Sequence, residues 1–266
     1  IESTASTDMT NMIHQLKDVV HEYEFLNEVT LRPEILREVP FNTGNTAAAY
    51  DGKPCVATAM AALRGMSRAL RDVRASTGLP LRGIMGAIGR DFGLLELAAN
   101  RVVTWAVTGY HIFTTYPQTL MPFNDPWYGP SGPLVRLSAF GKPITINEFN
   151  CGELFAPAFE NRIGAPMTET CLRSMARHLK SLTTQRIAAV ESIYFYDLLD
   201  APAPEKPAPE NHAGLMYDLS RPKVQLYLAT AFAGGALSAV ERSEIAKRGL
   251  LSESEIDAMR TVPAGR

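Results

Sequence analysis

Glu22-Tyr-Glu-Phe-Leu-Asn-Glu28 sets charged and aromatic side chains in alternation and ends on Asn-Glu, and Pro143-Ile-Thr-Ile-Asn-Glu148 brings a second apolar run to the same ending. Alternation with period two marks a half-buried β-strand, and a short apolar run marks a more deeply buried one. Each stretch therefore reads as a strand with a glutamate at its C-terminal end. The rest of the chain is built around these two.

Upstream, Met9, Met12, Ile13, Leu16, Val19 and Val20 recur at helical spacing, so residues 8 to 20 are expected to form an amphipathic helix. A loop rich in Asn, Thr and Gly leads from Phe41 to Asp51 into a long helix whose start is marked by Pro54 and whose end is marked by Gly78 before Pro80. Leu81 to Gly89 reads as a strand, with Asp91 placed to cap a helix from Phe92 to Asn100. Val102 to Thr114 is the next strand. A proline-rich loop bearing Trp127 and Tyr128 follows, then the strand Pro143 to Phe149, a helix from Met167 to Ala189, a strand from Ser192 to Asp197 and a helix from Pro222 to Phe232.

Strands alternating with helices predict an α/β fold with a parallel sheet. Of the two common layouts, a doubly wound sheet places a glycine-rich turn where a strand opens into a helix. Gly83, Gly86 and Gly89 lie within a strand instead. A (β/α)8 TIM barrel gathers its working residues at strand C-terminal ends, where Glu28, His111, Glu148 and Asp197 all fall. The barrel is the better match, with only about five βα units, suited to strands four to eight, so a preceding barrel segment is expected to be missing. Residues 1–236 then form the barrel domain and 237–266 a charged helical tail.

With 46% hydrophobic and 20% charged residues among 266, the composition is that of an ordinary globular domain. A formal net charge of −2 argues against a nucleic-acid partner, since neutralising phosphates takes a surplus of Lys and Arg. No apolar run reaches the ~20 residues of a membrane span. Cys55, Cys151 and Cys171 are too few for a disulfide framework, lack metal-site spacing, and by their odd number favour reduced thiols.

Two carboxylates at the ends of two strands fit the needs of glycoside cleavage with retention. One residue acts as acid/base and the other as nucleophile, about 5 Å apart across the anomeric carbon. The acid must be protonated when the bond breaks, and burial or a neighbouring carboxylate can arrange that. Residues ending different strands meet over a barrel mouth, so sequence separation is no obstacle.

On these motifs the chain resembles clan A of the glycoside hydrolases, nearest its family 39 and family 5 members, over roughly residues 8–232. Tyr23-Glu-Phe-Leu-Asn-Glu28 is similar to the Asn-Glu motif of barrel strand four, which implies Glu28 as acid/base and Asn27 as a contact to the sugar 2-hydroxyl. Ile144-Thr-Ile-Asn-Glu-Phe149 is similar to strand seven, implying Glu148 as nucleophile. Gly109-Tyr-His-Ile-Phe113 is similar to the His-x-Tyr motif of strand six, with His111 contacting substrate. Phe113 stands where relatives carry a tyrosine that bonds the nucleophile, so Tyr110 or Tyr116 is the replacement. Tyr194-Phe-Tyr-Asp197 is similar to strand eight, where Tyr194 or Tyr196 takes the place of a tryptophan platform. Gly214-Leu215 and Arg221-Pro-Lys223 are similar to the segment beyond it. The Arg and His of barrel strands two and three have no counterpart.

The resemblance implies a hydrolase of carbohydrate metabolism that needs neither metal nor organic cofactor, acts on an oligo- or polysaccharide, and is exported from the cytoplasm. Trp127 and Tyr128 are candidates for stacking on a sugar, and a loop anchor is the plainer reading of both. Glu22 and Glu24 are expected near the polar lower end of the barrel, and His14, His21 and His178 on the surface. The competing expectation is a catalytically incomplete fragment or carbohydrate-binding remnant. An aldolase or metal hydrolase is disfavoured, since no strand-end lysine and no His-x-His pair is present.

Overall fold

The computed structural model describes residues 1–113, 123, 126–128, 131–150, 167–185, 190–200 and 214–261. Among them, helix α1 spans Glu2–Leu16, strand β1 Glu22–Glu24, α2 Pro33–Glu38, α3 Ala47–Tyr50, α4 Pro54–Thr77, β2 Arg82–Ile88, α5 Gly93–Asn100 and β3 Val107–Phe113. There follow α6 Gly132–Ser138, β4 Ile144–Asn150, α7 Met167–Gln185, β5 Val190–Phe195, β6 Met216–Asp218, β7 Arg221–Pro222, α8 Val224–Phe232, α9 Ala239–Lys247 and α10 Glu253–Thr261.

Strands β1 to β5 lie in one sheet in chain order. β1 pairs in parallel with β2, and β2 with β3. A helix intervenes between each strand and the next, as a parallel crossover requires. The expected α/β fold is observed. The chain divides into two compact units, one of residues 1–111 and 136–145, the other of residues 112–135 and 146–266.

In the first unit, α1 packs along α4. Gly65 allows the close approach: a Cβ there would lie 2.2 Å from the Glu2 carbonyl oxygen. The Glu2 carboxylate then receives Arg64 at 3.0 Å and Arg68 at 2.9 Å. α4 begins on Pro54 and stops at Gly78, whose φ of 71° is the left-handed conformation that ends helices.

The two faces of the sheet follow from strand alternation. Tyr23, Phe25, Met85, Ala87, Thr108 and Tyr110 are buried on the helix-covered face. Phe25 lies over Gly83, where a Cβ would come 2.4 Å from its ring. Glu22, Glu24, Ile84, Gly86, Ile88 and His111 share the opposite face by register. At the start of β1, Glu22 pairs with Arg82 at a polar end of the strand. Glu24 is two residues further along and does not belong to that end.

Asp91 does not cap α5, which starts at Gly93 with Phe92 as its N-cap and no side-chain cap. Its carboxylate accepts instead from the backbone amides of Asn42 at 3.1 Å and Gly44 at 2.9 Å. The Asn-Thr-Gly loop thereby satisfies amides that no strand or helix would serve.

In the second unit, α7 buries Cys171, Leu172, Met175, Ala176 and Leu179. His178 is fully buried on the same face, contrary to its expected surface position. Its ring meets Phe123 edge-on at 4.5 Å and Phe149 of β4 at 6.3 Å. Cys171 is disulfide-bonded, which corrects the expectation of reduced thiols, while Cys55 is a free thiol.

β6 and β7 form an antiparallel ribbon absent from the sequence reading. The hydrogen bonds of Ser220 and the Arg221 guanidinium hold the Asp218 carboxyl far below the usual range. Lys223, wholly buried, donates to Asp200 at 2.6 Å. The charged C-terminal segment forms two helices, Ala239–Lys247 and Glu253–Thr261, within its described residues. α9 and α10 pack on α8 within the second unit and bury Ile245, Ile256 and Met259. Among the described residues, no helix is long and apolar enough to cross a membrane.

Candidate functional site

β1 is much shorter than the sequence pattern suggests, because the chain leaves it by a left-handed route. Leu26 has φ 53° and Glu28 φ 47°, and Glu28 then opens a 3-10 turn over Val29–Leu31. Positive φ in a non-glycine residue is costly and clusters at functional positions. The turn exposes Asn27. It also swings the Glu28 carboxylate toward β3, where Oε1 lies 3.1 Å from His111 Nδ1.

His111 is the centre of this site. Its side chain is 2% exposed, and both ring nitrogens are engaged. Nε2 lies 3.2 Å from Glu24 Oε1. The two carboxylates keep about a quarter of their surface, 24% for Glu24 and 27% for Glu28. A shallow cleft is lined by Glu24, Glu28, Val29, Thr30, Gly86, Ala87, Ile88 and His111. Gly86 leaves room for Glu24, since a Cβ there would sit 3.2 Å from Glu24 Oε1.

Chemically, this is a partly exposed carboxyl positioned by a buried imidazole that a second carboxyl holds from behind. Such an arrangement suits proton transfer to a group in the cleft. A metal bound at either ring nitrogen would have to take the place of the proton in one of these contacts.

Glu24 is the residue of this cluster that sequence reasoning missed. Its alternation with Tyr23 and Phe25 already placed it on the face away from the helices, the face of His111. The missing information was its level in the sheet, which the register with β2 supplies.

Tyr110 is placed differently from the expectation that it binds substrate. It is fully buried, stacks on Phe92 at 6.2 Å, and donates its hydroxyl to the Gly89 carbonyl at 3.0 Å. One residue before His111 on a strand, it points to the helix-covered face, and it offers no surface to a ligand. Tyr116 lies outside the described residues.

The second unit holds the other expected residues. Glu148 is half-buried on β4. Its neighbour Phe149 packs toward α7, so alternation turns Glu148 to the opposite face. Trp127 is half-buried in a 3-10 turn over Pro126–Tyr128 and meets the buried Tyr128 edge-on at 4.9 Å. Tyr196 directly follows β5, is half-buried, and donates its amide to the Phe149 carbonyl at 3.1 Å. The Tyr196–Asp197 peptide bond is cis. Tyr194 is 50% exposed.

No family model matches the chain, and no curated protein matches it. Among solved structures the chain is similar to xylanase B from Clostridium stercorarium F9, with a TM-score of 0.52 and 13% identity over 84% of this chain and 64% of that one. Beta-glucuronidase 2 of Bacteroides uniformis, solved covalently bound to cyclophellitol-6-carboxylate aziridine, aligns with a TM-score of 0.49 and 16% identity over 86% of this chain and 26% of that one. The chain thus spans less than two thirds of either structure. At 13% identity the first likeness speaks for the fold alone.

Proposed function

We propose that this chain is the part of a (β/α)8 barrel corresponding to strands four to eight, and that it carries the catalytic pair of a retaining glycoside hydrolase. The observation that carries the proposal is Glu28: a partly exposed carboxyl just beyond the end of β1, held in a strained turn against a buried histidine. Glu148, half-buried near the end of β4 and turned from the helix-covered face, is the partner that the sequence motif supplies.

In this reading the Glu148 carboxylate attacks the anomeric carbon as the glycosidic C–O bond breaks. The leaving oxygen takes the proton of Glu28. Water then attacks the glycosyl–Glu148 ester, gives its proton to Glu28 and frees the sugar. Asn27 and Tyr196 are assigned to substrate binding, and Trp127 to stacking on a further sugar unit. The bond cleaved is a β-glycosidic bond of an oligo- or polysaccharide.

The test is turnover of aryl β-glycosides, xylan and β-glucans by the wild type and Glu148→Ala. Activity that is lost in the variant and returns with azide, giving a glycosyl azide of inverted configuration, supports the proposal. Inverted product from the wild type, or unchanged activity in Glu148→Ala, refutes it. Saturable sugar binding with no turnover would favour the second reading, a carbohydrate-binding remnant.

A further inference from the structure

His111 makes two contacts that look alike but are chemically unequal. Nδ1 faces Glu28 Oε1 at 3.1 Å and Nε2 faces Glu24 Oε1 at 3.2 Å. For each contact to be a hydrogen bond it must contain one proton, so two protons are shared among the three groups.

With the strongly basic imidazolate set aside, three distributions satisfy that count. The ring can carry both protons, with both carboxylates ionised. It can carry one on Nδ1, with Glu24 protonated. Or it can carry one on Nε2, with Glu28 protonated. Only the third arms Glu28 as a general acid. The partner of one imidazole nitrogen decides which tautomer the other nitrogen presents.

We propose that Glu24 is a positioning residue for Glu28, a role that rests on the reading of Glu28 as general acid. The Glu24 carboxylate accepts the Nε2–H of His111, which excludes the neutral tautomer protonated on Nδ1; in the neutral ring Nδ1 is then bare and accepts the Glu28 carboxyl proton. The acid is thereby held at one place and one orientation over the cleft. Once Glu28 has given its proton to the leaving oxygen, its carboxylate faces the Nδ1 lone pair, which favours taking a proton back from the attacking water. No net charge moves through Glu24.

The surroundings are consistent with a fixed rather than incidental contact. The ring is 2% exposed, so water does not compete for its nitrogens. Gly86 on β2 leaves just enough space beside Glu24, a Cβ there lying at 3.2 Å from the carboxylate oxygen. The strand neighbour Glu22 has a different partner, Arg82, and provides a control on the same strand and face.

Two measurements test this on the full chain. Long-range nitrogen–proton NMR of the wild type, at the pH used for turnover, reads the His111 tautomer. A ring protonated on Nε2 alone supports the proposal, whereas one protonated on Nδ1 or on both nitrogens overturns it. This holds even if Glu24 variants fail to fold.

The second measurement compares Glu24→Leu and Glu22→Gln on two β-glycosides. One carries an alkyl leaving group that needs protonation, the other a 2,4-dinitrophenyl group that does not. General acid catalysis is worth about 10²–10⁴-fold. Glu24→Leu is expected to lose roughly tenfold or more of this in kcat/KM on the alkyl glycoside, and little on the dinitrophenyl glycoside. Glu22→Gln should leave both unchanged. Equal losses on both substrates would mean a structural role and overturn the proposal. A wild type that turns over no glycoside overturns the glycosidase reading together with the role of Glu24. Turnover with the wrong tautomer overturns the role of Glu24 alone.

Discussion

Replacing Asp91 by asparagine keeps its shape and removes its charge. Asp91 is 1% exposed and receives two backbone amides, from Asn42 at 3.1 Å and Gly44 at 2.9 Å. An asparagine can accept from one of them with its oxygen, but its NH2 would face the other as donor against donor. One buried amide is then left without an acceptor, at a cost of about 1–3 kcal/mol.

Opposing this is the burial of the aspartate itself, which is the largest influence on its pKa and raises it, while the amides of Asn42 and Gly44, the Arg90 charge and the Tyr50 hydroxyl pull the other way. A carboxyl whose folded pKa lies above its unfolded value binds its proton more tightly in the folded state. The corresponding stability is fully present below the unfolded pKa and is lost as pH rises through the folded pKa. Asparagine does not titrate, so this dependence is absent from Asp91→Asn.

The stability gap between wild type and variant should therefore be widest near pH 4, about 1–3 kcal/mol, and should narrow toward neutral pH. In urea unfolding, a 2 kcal/mol loss at pH 4 moves the midpoint by roughly 0.7–1 M. Other titrating groups are common to both proteins and cancel in the difference. A variant with an unchanged midpoint at pH 4, or a gap that widens as pH rises, would refute the reasoning.

Three further substitutions follow from the same structure. Lys223→Met leaves Asp200, whose side chain is 14% exposed, without its ammonium partner; a loss of about 3–5 kcal/mol is expected in denaturant unfolding, and a variant as stable as the parent would show the pair to be dispensable. Val102 holds φ 63° while 82% exposed, so Val102→Asn should raise stability by about 1 kcal/mol, since β-branched residues are penalised there; a lower melting temperature would count against this. Ser238 and Glu241 form a reciprocal capping box on α9, and Ser238→Ala should cost about 1 kcal/mol, with no change in melting temperature as the contrary result.

Most of the fold could be read from local signals. Pro54 and Gly78 delimit α4 as expected because each acts through its own backbone geometry. The strands around Gly83, His111 and Glu148 were legible because they are apolar and short. Misreadings arose where a long-range contact overrode a local rule. Asp91 sits at the position of a helix cap, yet two loop amides nearly fifty residues away claim it. His178 has polar neighbours in sequence, yet faces Phe123 and Phe149. Tyr110 and His111 are adjacent in one motif, and only strand alternation separates a core residue from a site residue. The Ser-x-x-Glu capping pattern that begins α9 recurs at Ser252 and Glu255 at the start of α10.

The clamp on His111 depends on the part of β1 that is not a strand. Four residues of extended chain span about 13 Å, so Glu24 and Glu28 could meet one imidazole ring only with both side chains stretched toward each other along the sheet. A strand running through to Glu28, as the sequence pattern suggests, would hold the two carboxylates on one face but apart. The left-handed residues Leu26 and Glu28 shorten that path. Each costs about 1–2 kcal/mol, and the return is a contact at 3.1 Å rather than better packing of the half-buried Leu26. Leu26→Gly separates these terms. Relief of the left-handed strain offsets the lost leucine burial, so unfolding free energy should change by less than about 1 kcal/mol. Turnover should fall nonetheless, because a flexible residue no longer fixes Glu28 against the ring. A loss of 2–5 kcal/mol, the size seen for truncating a core leucine, would instead mean that Leu26 is held by packing and that the turn stores no strain.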